Sequence, residues 1–194
     1  LVACQPPSPP DPLAEARETC ARAGARVEER KAACDALIAA QLEPADRVAA
    51  LIDRGDVSRG ANDPTAALAD YNAALAIDAE NADAKLGRAT VLLRSGQLDA
   101  AQPLIDSVIE ANANSARALL LRAQLKVKQG DVGAAMPDFD AAIAQDSQSA
   151  EAFAQRGLAK QRFEDYAAAE RDFDAAIRLD SREPNARSGR CWNR

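Results

Sequence analysis

Apolar and polar positions recur with a period of 34 residues from Ala14 to Glu183. One column holds small residues: Ala33, Ala67, Ala101, Ala135 and Ala169. Four residues on stands a large apolar side chain: Leu37, Tyr71, Ile105, Phe139 and Phe173. Three beyond that come Ala40, Ala74, Val108, Ala142 and Ala176, and twelve before the alanines come Ala21, Gly55, Ala89, Ala123 and Gly157. Offsets of i, i+4 and i+7 put the first three columns on one helical face. The fourth lies on a preceding helix, where a missing or minimal side chain lets two antiparallel helices approach closely. Breakers at Gly60–Pro64, Gly96–Asp99, Gly130–Gly133 and Glu164–Asp165 separate the two helices of each unit. The pattern predicts an all-α chain of helix–turn–helix repeats at 14–47, 48–81, 82–115, 116–149 and 150–183. Pro103 and Pro137 fall inside predicted second helices, which should therefore begin late or bend.

These columns resemble the tetratricopeptide repeat (TPR), occupying its positions 8, 20, 24 and 27. The resemblance implies a right-handed superhelical solenoid of about five repeats. The match is incomplete. The family's aromatic at position 4 survives only as Phe153, and the proline that usually closes a repeat is replaced by Ala45, Ala79, Ala113, Ser147 and Ser181. Pro44 falls one residue early, and the first repeat matches least well.

In such proteins positions 2, 5, 6, 9, 12 and 13 of the first helices line a concave groove. By that resemblance the groove here is formed by Asp53, Asp56 and Arg59 in the second repeat, and by Leu86, Leu93, Leu120, Leu121 and Val127 in the third and fourth. Position 13, near the C-terminal end of each first helix, carries Arg26, Arg94, Lys128 and Arg162, of which the last three join the groove. An apolar middle with charged ends suits an extended or helical peptide; a shift of helical phase by a residue would instead make some of these leucines core. The bases at position 13 also complement the helix dipole, which is a purely structural reading. The Lys and Asn of the chaperone-type carboxylate clamp are absent at positions 5 and 9. Position 7 carries Arg54, Arg88, Arg122 and Arg156, and position 23 carries Asp70, Asp138 and Asp172. The two rows either pair with each other and fix helix packing, or the arginines form an anion-binding ladder.

Residues 1–4, Leu-Val-Ala-Cys, resemble the lipobox of bacterial lipoproteins, which implies a diacylated Cys4. The chain opens on Leu, so the start of translation is expected upstream. Five prolines between Gln5 and Pro12 preclude helix or sheet and suit a stiff tether, so residues 1–13 are expected to be disordered. Because Gln5 is not the Asp that retains some lipoproteins at the inner membrane, the outer membrane is the favoured destination on the periplasmic side. The alternative is an accidental match in a cytoplasmic protein. Cys20 and Cys34 flank the close-contact positions of the first hairpin, and exported TPR proteins carry a similar pair. In an oxidising compartment they would form a disulfide stabilising by about 3 kcal/mol in the chain-entropy model; otherwise they are reduced core residues.

Composition narrows the function. Net charge is −6 with signs interspersed, which argues against a nucleic-acid partner. Histidine is absent, which removes the commonest general base and zinc ligand, and no phosphate loop or nucleophile elbow is present. Neither an enzyme nor a cofactor is expected. The expected partner is a protein or peptide, with membrane contact only through Cys4. Residues 184–194 read as the start of a truncated or capping helix with an unpaired Cys191, and that end offers a self-association surface as a further alternative.

Overall fold

The computed structural model describes residues 13–22, 24–40 and 42–192. Cys4 and the proline-rich segment before Leu13 lie outside the described residues. The described chain is helical: α1 (Ala14–Ala21), α2 (Val27–Ala39), α3 (Pro44–Gly60), α4 (Pro64–Ile77), α5 (Ala82–Arg94), α6 (Leu98–Ala111), α7 (Ala116–Gln129), α8 (Val132–Gln145), α9 (Ala150–Arg162), α10 (Tyr166–Leu179) and α11 (Pro184–Trp192). None of them is long and apolar enough to cross a membrane. The helices form two compact units, one ending at Val91 within α5 and the other beginning at Leu92.

Local chemistry sets the helix ends at the same place in successive repeats. Asp63, Asp131 and Asp165 cap the second helices, their carboxylates accepting from Ala66, Ala134 and Ala168 N–H groups. Ser115 and Ser149 cap first helices in the same way. Such caps satisfy donors that the first turn leaves unpaired. The turn between helices passes through one left-handed residue at repeat position 15: Asn62, Gly96, Gly130 and Glu164. Only two of these are glycines.

In the first unit Tyr71 fills the centre and is fully buried. A Cβ on Gly55 or Gly87 would stand 2.8 and 2.4 Å from its ring, so both glycines are required by the close approach. In the second unit Phe173 is likewise enclosed, with Gly157 and Gly189 in the corresponding roles at 2.6 and 2.4 Å. Position 24 therefore packs against position 8 of its own repeat and position 6 of the following helix. A separate cluster of Leu119, Leu120, Ala123, Ala135 and Phe139 joins α7 and α8.

Two sequence expectations need correction. Of the two outcomes expected for the prolines, the late start does not occur: α6 and α8 begin at Leu98 and Val132 and carry Pro103 and Pro137 inside. Both prolines, and Asp99 and Gly133 four residues earlier, are exposed, so water solvates the carbonyls that lose their donors. Pro44, one residue early for a closing proline, opens α3 at N1, where its missing N–H costs nothing. The first hairpin is also displaced. Here α1 ends at position 8, and position 15 is Glu28 inside α2. Arg26 thus precedes α2 as its N-cap residue and does not close a first helix as position 13 was expected to.

Candidate functional site

The arginines of position 7 meet the aspartates of position 23. Arg54 donates through Nε and Nη2 to Asp70, with the shortest contact at 2.6 Å. Arg122 does the same to Asp138 at 2.9 and 2.6 Å, and Arg156 to Asp172 at 2.8 and 2.7 Å. The three carboxylates are buried. Lys126 and Lys160, one helical turn on, add second cations to Asp138 and Asp172. Bidentate guanidinium–carboxylate geometry fixes both helices at once. In the third repeat position 23 is Leu104, and Arg88 makes no ion pair among the described residues. The arginine row is thus a packing device in three repeats.

The residues expected to line the groove divide into two sets. Leu86, Leu93 and Leu121 are at most 5% exposed and belong to the core. Val127 packs against the α7–α8 cluster. The apolar middle of the groove is therefore mostly interior: helical phase turns these side chains inward, the second of the two readings of these leucines. Leu120 is the exception. Buried itself, it floors a cleft of about 270 Å³ with Ala142 and Ala152, and Arg117 and Glu151 stand at its edge. Gln124 Nε2 donates to Glu151 at 3.2 Å across the same face. Sequence reasoning named position 2 as a groove position but overlooked that it places Arg117 and Glu151 here with opposite charges.

The charged set stays accessible to different degrees. Asp56 accepts from Tyr71 Oη at 2.6 Å and from Arg59 Nη2 at 2.9 Å, so Arg59 and Asp56 close over the core tyrosine. Burial, together with the Asp56 carboxylate, pushes the Tyr71 phenol well above its ordinary range. Asp53 is half-buried; burial first and then repulsion from Asp56 raise its pKa, against the attraction of Arg30. Asp53 also lines a second cleft, in the first unit, of about 210 Å³ with Leu37 and Ala50, where Arg17 bonds Asp46 at 3.1 Å. Arg94, Lys128 and Arg162 are exposed near the ends of their first helices. Arg162 donates to the Val127 carbonyl in the last turn of α7 at 3.3 Å, in keeping with the dipole reading. Cys20 and Cys34 are joined by a disulfide, and Cys191 is free and exposed. Among the described residues no group of three or more His, Cys, Asp or Glu is placed to hold a metal ion.

Residues 58–125 match the tetratricopeptide-repeat family model. No curated protein matches the sequence as a relative. Among solved structures the chain is similar to TTC0263, a thermophilic TPR protein in Thermus thermophilus, with TM-score 0.72 and 14% identity over 87% of this chain and 90% of that one. It is also similar to MamA 41-end from Desulfovibrio magneticus RS-1 (TM-score 0.64, 19% identity, 89% and 97% covered). A third similar structure is YrrB, described as a TPR protein with an unusual peptide-binding site (TM-score 0.56, 23% identity, 85% and 84% covered). At these identities the likeness is one of fold.

Proposed function

We propose that the chain, whose residues 58–125 match the tetratricopeptide-repeat family model and whose fold is that of solved TPR structures, is a non-catalytic scaffold that holds a peptide or protein segment against its first helices. The observation that carries this reading is the cleft between α7, α8 and α9: an apolar floor at Leu120, Ala142 and Ala152 beneath Arg117 and Glu151. Its volume suits one anchoring apolar side chain, with a polar backbone or charged neighbours held at the edge. The helices around it are held by the Arg122–Asp138 and Arg156–Asp172 bridges, so little ordering is needed on binding. YrrB, which shares the fold, is described as having a peptide-binding site, which is in keeping with this reading.

The test is selection from a displayed peptide library on the intact protein. Selected peptides should shift the NMR signals of Arg117, Gln124, Glu151 and Lys128. They should also bind about tenfold more weakly to Arg117→Glu or Glu151→Arg, whereas Asp99→Arg on the exposed face of α6 should leave binding unchanged. Peptides that bind all variants equally would remove the cleft from the reading.

We place this scaffold on the periplasmic side of a bacterial envelope, anchored through Cys4. The Cys20–Cys34 bond supports export, since such bonds persist in oxidising compartments. An intact mass of the protein from its native membrane fraction decides the point. A diacylglyceryl group on Cys4 is expected; an unmodified Cys4 with free Cys20 and Cys34 thiols would overturn the placement.

A further inference from the structure

The first unit holds a carboxylate that its own side chains leave uncompensated. Asp46, Ala49, Ala50 and Asp53 stand at i, i+3, i+4 and i+7, so one face of α3 presents all four. That face closes a cleft of about 210 Å³ with Arg17 and Ala21 of α1, Leu37 of α2 and Leu42 of the link that follows α2. Two of the three aspartates of α3 are satisfied: Arg17 bonds Asp46 at 3.1 Å, and Arg59 and Tyr71 bond Asp56. Asp53 is not. Among the described residues no N–H or O–H group donates to it: Cys20 Sγ stands 3.9 Å from Oδ2, but a disulfide sulfur carries no hydrogen. Arg30 attracts it, yet donates its Nε to the Cys20 carbonyl at 2.9 Å. Burial and the Asp56 charge outweigh that attraction and push the Asp53 carboxyl above its ordinary pKa. A half-buried carboxylate left in this way costs free energy that a cation would recover.

We propose that this cleft binds an arginine side chain of a partner protein, its guanidinium on Asp53 and its methylenes over Leu37, Leu42 and the alanines. Whole small molecules take pockets of about 300 Å³ or more, so the smaller volume here suits a single long side chain. The floor at Leu37 and Ala50 is apolar and only 3% exposed, which fits a stem of methylenes ending in a charge. A guanidinium matches a carboxylate with two unbonded oxygens, and it is more weakly hydrated than an ammonium, so it loses less on entering. The chain builds the same pair into itself three times, as Arg54–Asp70, Arg122–Asp138 and Arg156–Asp172. At Asp53 the carboxylate is present and the guanidinium is left to a partner. The site goes beyond the cleft of the second unit: it takes a charged anchor where that one takes an apolar side chain, and it stands without it.

The test titrates the intact protein with N-acetyl-arginine amide and, in parallel, with the citrulline and lysine counterparts. Binding is read from the NMR signals of Ala49, Ala50 and the Asp53 carboxyl. The arginine probe should shift all three and lower the Asp53 pKa. Citrulline keeps the shape and loses the charge, so it should bind at least about tenfold more weakly, with lysine between the two. Asp53→Asn should abolish the response. Because that change relieves the first unit of an uncompensated charge, the loss would not come from unfolding. Glu151→Arg, which alters the cleft of the second unit, should leave the response unchanged and so keeps the two sites apart. An arginine probe that shifts nothing, as when a segment of the chain itself fills the cleft, overturns the proposal. So does binding that citrulline or lysine matches, or that survives in Asp53→Asn.

Discussion

The first and fifth repeats solve the same joint in different ways. In the fifth, position 7 is Arg156, which ties α9 to α10 through Asp172. In the first, position 7 is Cys20, which ties α1 to α2 through the disulfide to Cys34. One joint is ionic and acts in the folded state, where Lys160 and partial solvent contact balance the burial of Asp172. The other is covalent and acts mainly by restricting the unfolded chain. The ionic joint works between helices of full length. The covalent one holds a first helix of only eight residues, α1, too short to be stable alone. The comparison identifies position 7 as the place where the first helix is locked to its second in four of the five repeats, the third excepted, whatever the chemistry of the lock.

The largest effect should come from what the fifth repeat has and the first lacks, an aromatic enclosed between two glycines. Phe173→Ala should destabilise the second unit by about 3–5 kcal/mol, because Gly157 and Gly189 have no side chains with which to fill the cavity. Chemical denaturation with hydrogen exchange measured across α9–α10 checks this. Next, Cys20→Ser with Cys34→Ser should cost about 3 kcal/mol in the chain-entropy model, confined to α1 and α2. Exchange in those helices should approach that of an unfolded chain while α9–α10 stay protected. If both regions loosen equally, the two joints are not local devices. Asp172→Ala should cost about 2 kcal/mol, since Arg156 and Lys160 lose a shared acceptor but turn toward water. Added salt should reduce that difference and leave the cysteine variants unaffected.

The sequence made the repeat period, the helix pairs and the turns legible because each rests on one residue type at a fixed spacing. The pairing of Arg122 with Asp138 was legible as one of two readings, and structure decides it because only geometry shows both ends meeting. The groove was less legible. Leu86, Leu93 and Leu121 were assigned to a surface by their repeat positions, and a small rotation of helical phase puts them in the core. The short α1 was hidden for another reason. Its register is preserved by Cys20 and Ala21, while the helix break that follows carries no proline and no strongly placed glycine.

The smallest effects concern two carboxylates whose surroundings act in opposite directions. Burial pushes the Asp138 carboxyl up, but hydrogen bonds from Arg122 and Lys126 outweigh it and hold its pKa below the ordinary value. An acid with a depressed folded pKa stabilises the fold above its unfolded pKa of about 3.9, and that contribution is lost as pH falls through the folded value. Asp53 is displaced the other way by burial and by Asp56. Its charged form therefore burdens the first unit at neutral pH, and the burden lifts as pH falls through its raised folded value. Asp53→Asn should accordingly stabilise the first unit at pH 7 and differ little from the parent below pH of about 4. Asp138→Asn should destabilise the second unit at pH 7, and the penalty should fade only in stronger acid. Denaturation of both variants between pH 7 and 3 separates the cases. A loss of stability in Asp53→Asn at pH 7 would mean that its carboxylate is held by Arg30 more strongly than burial opposes it.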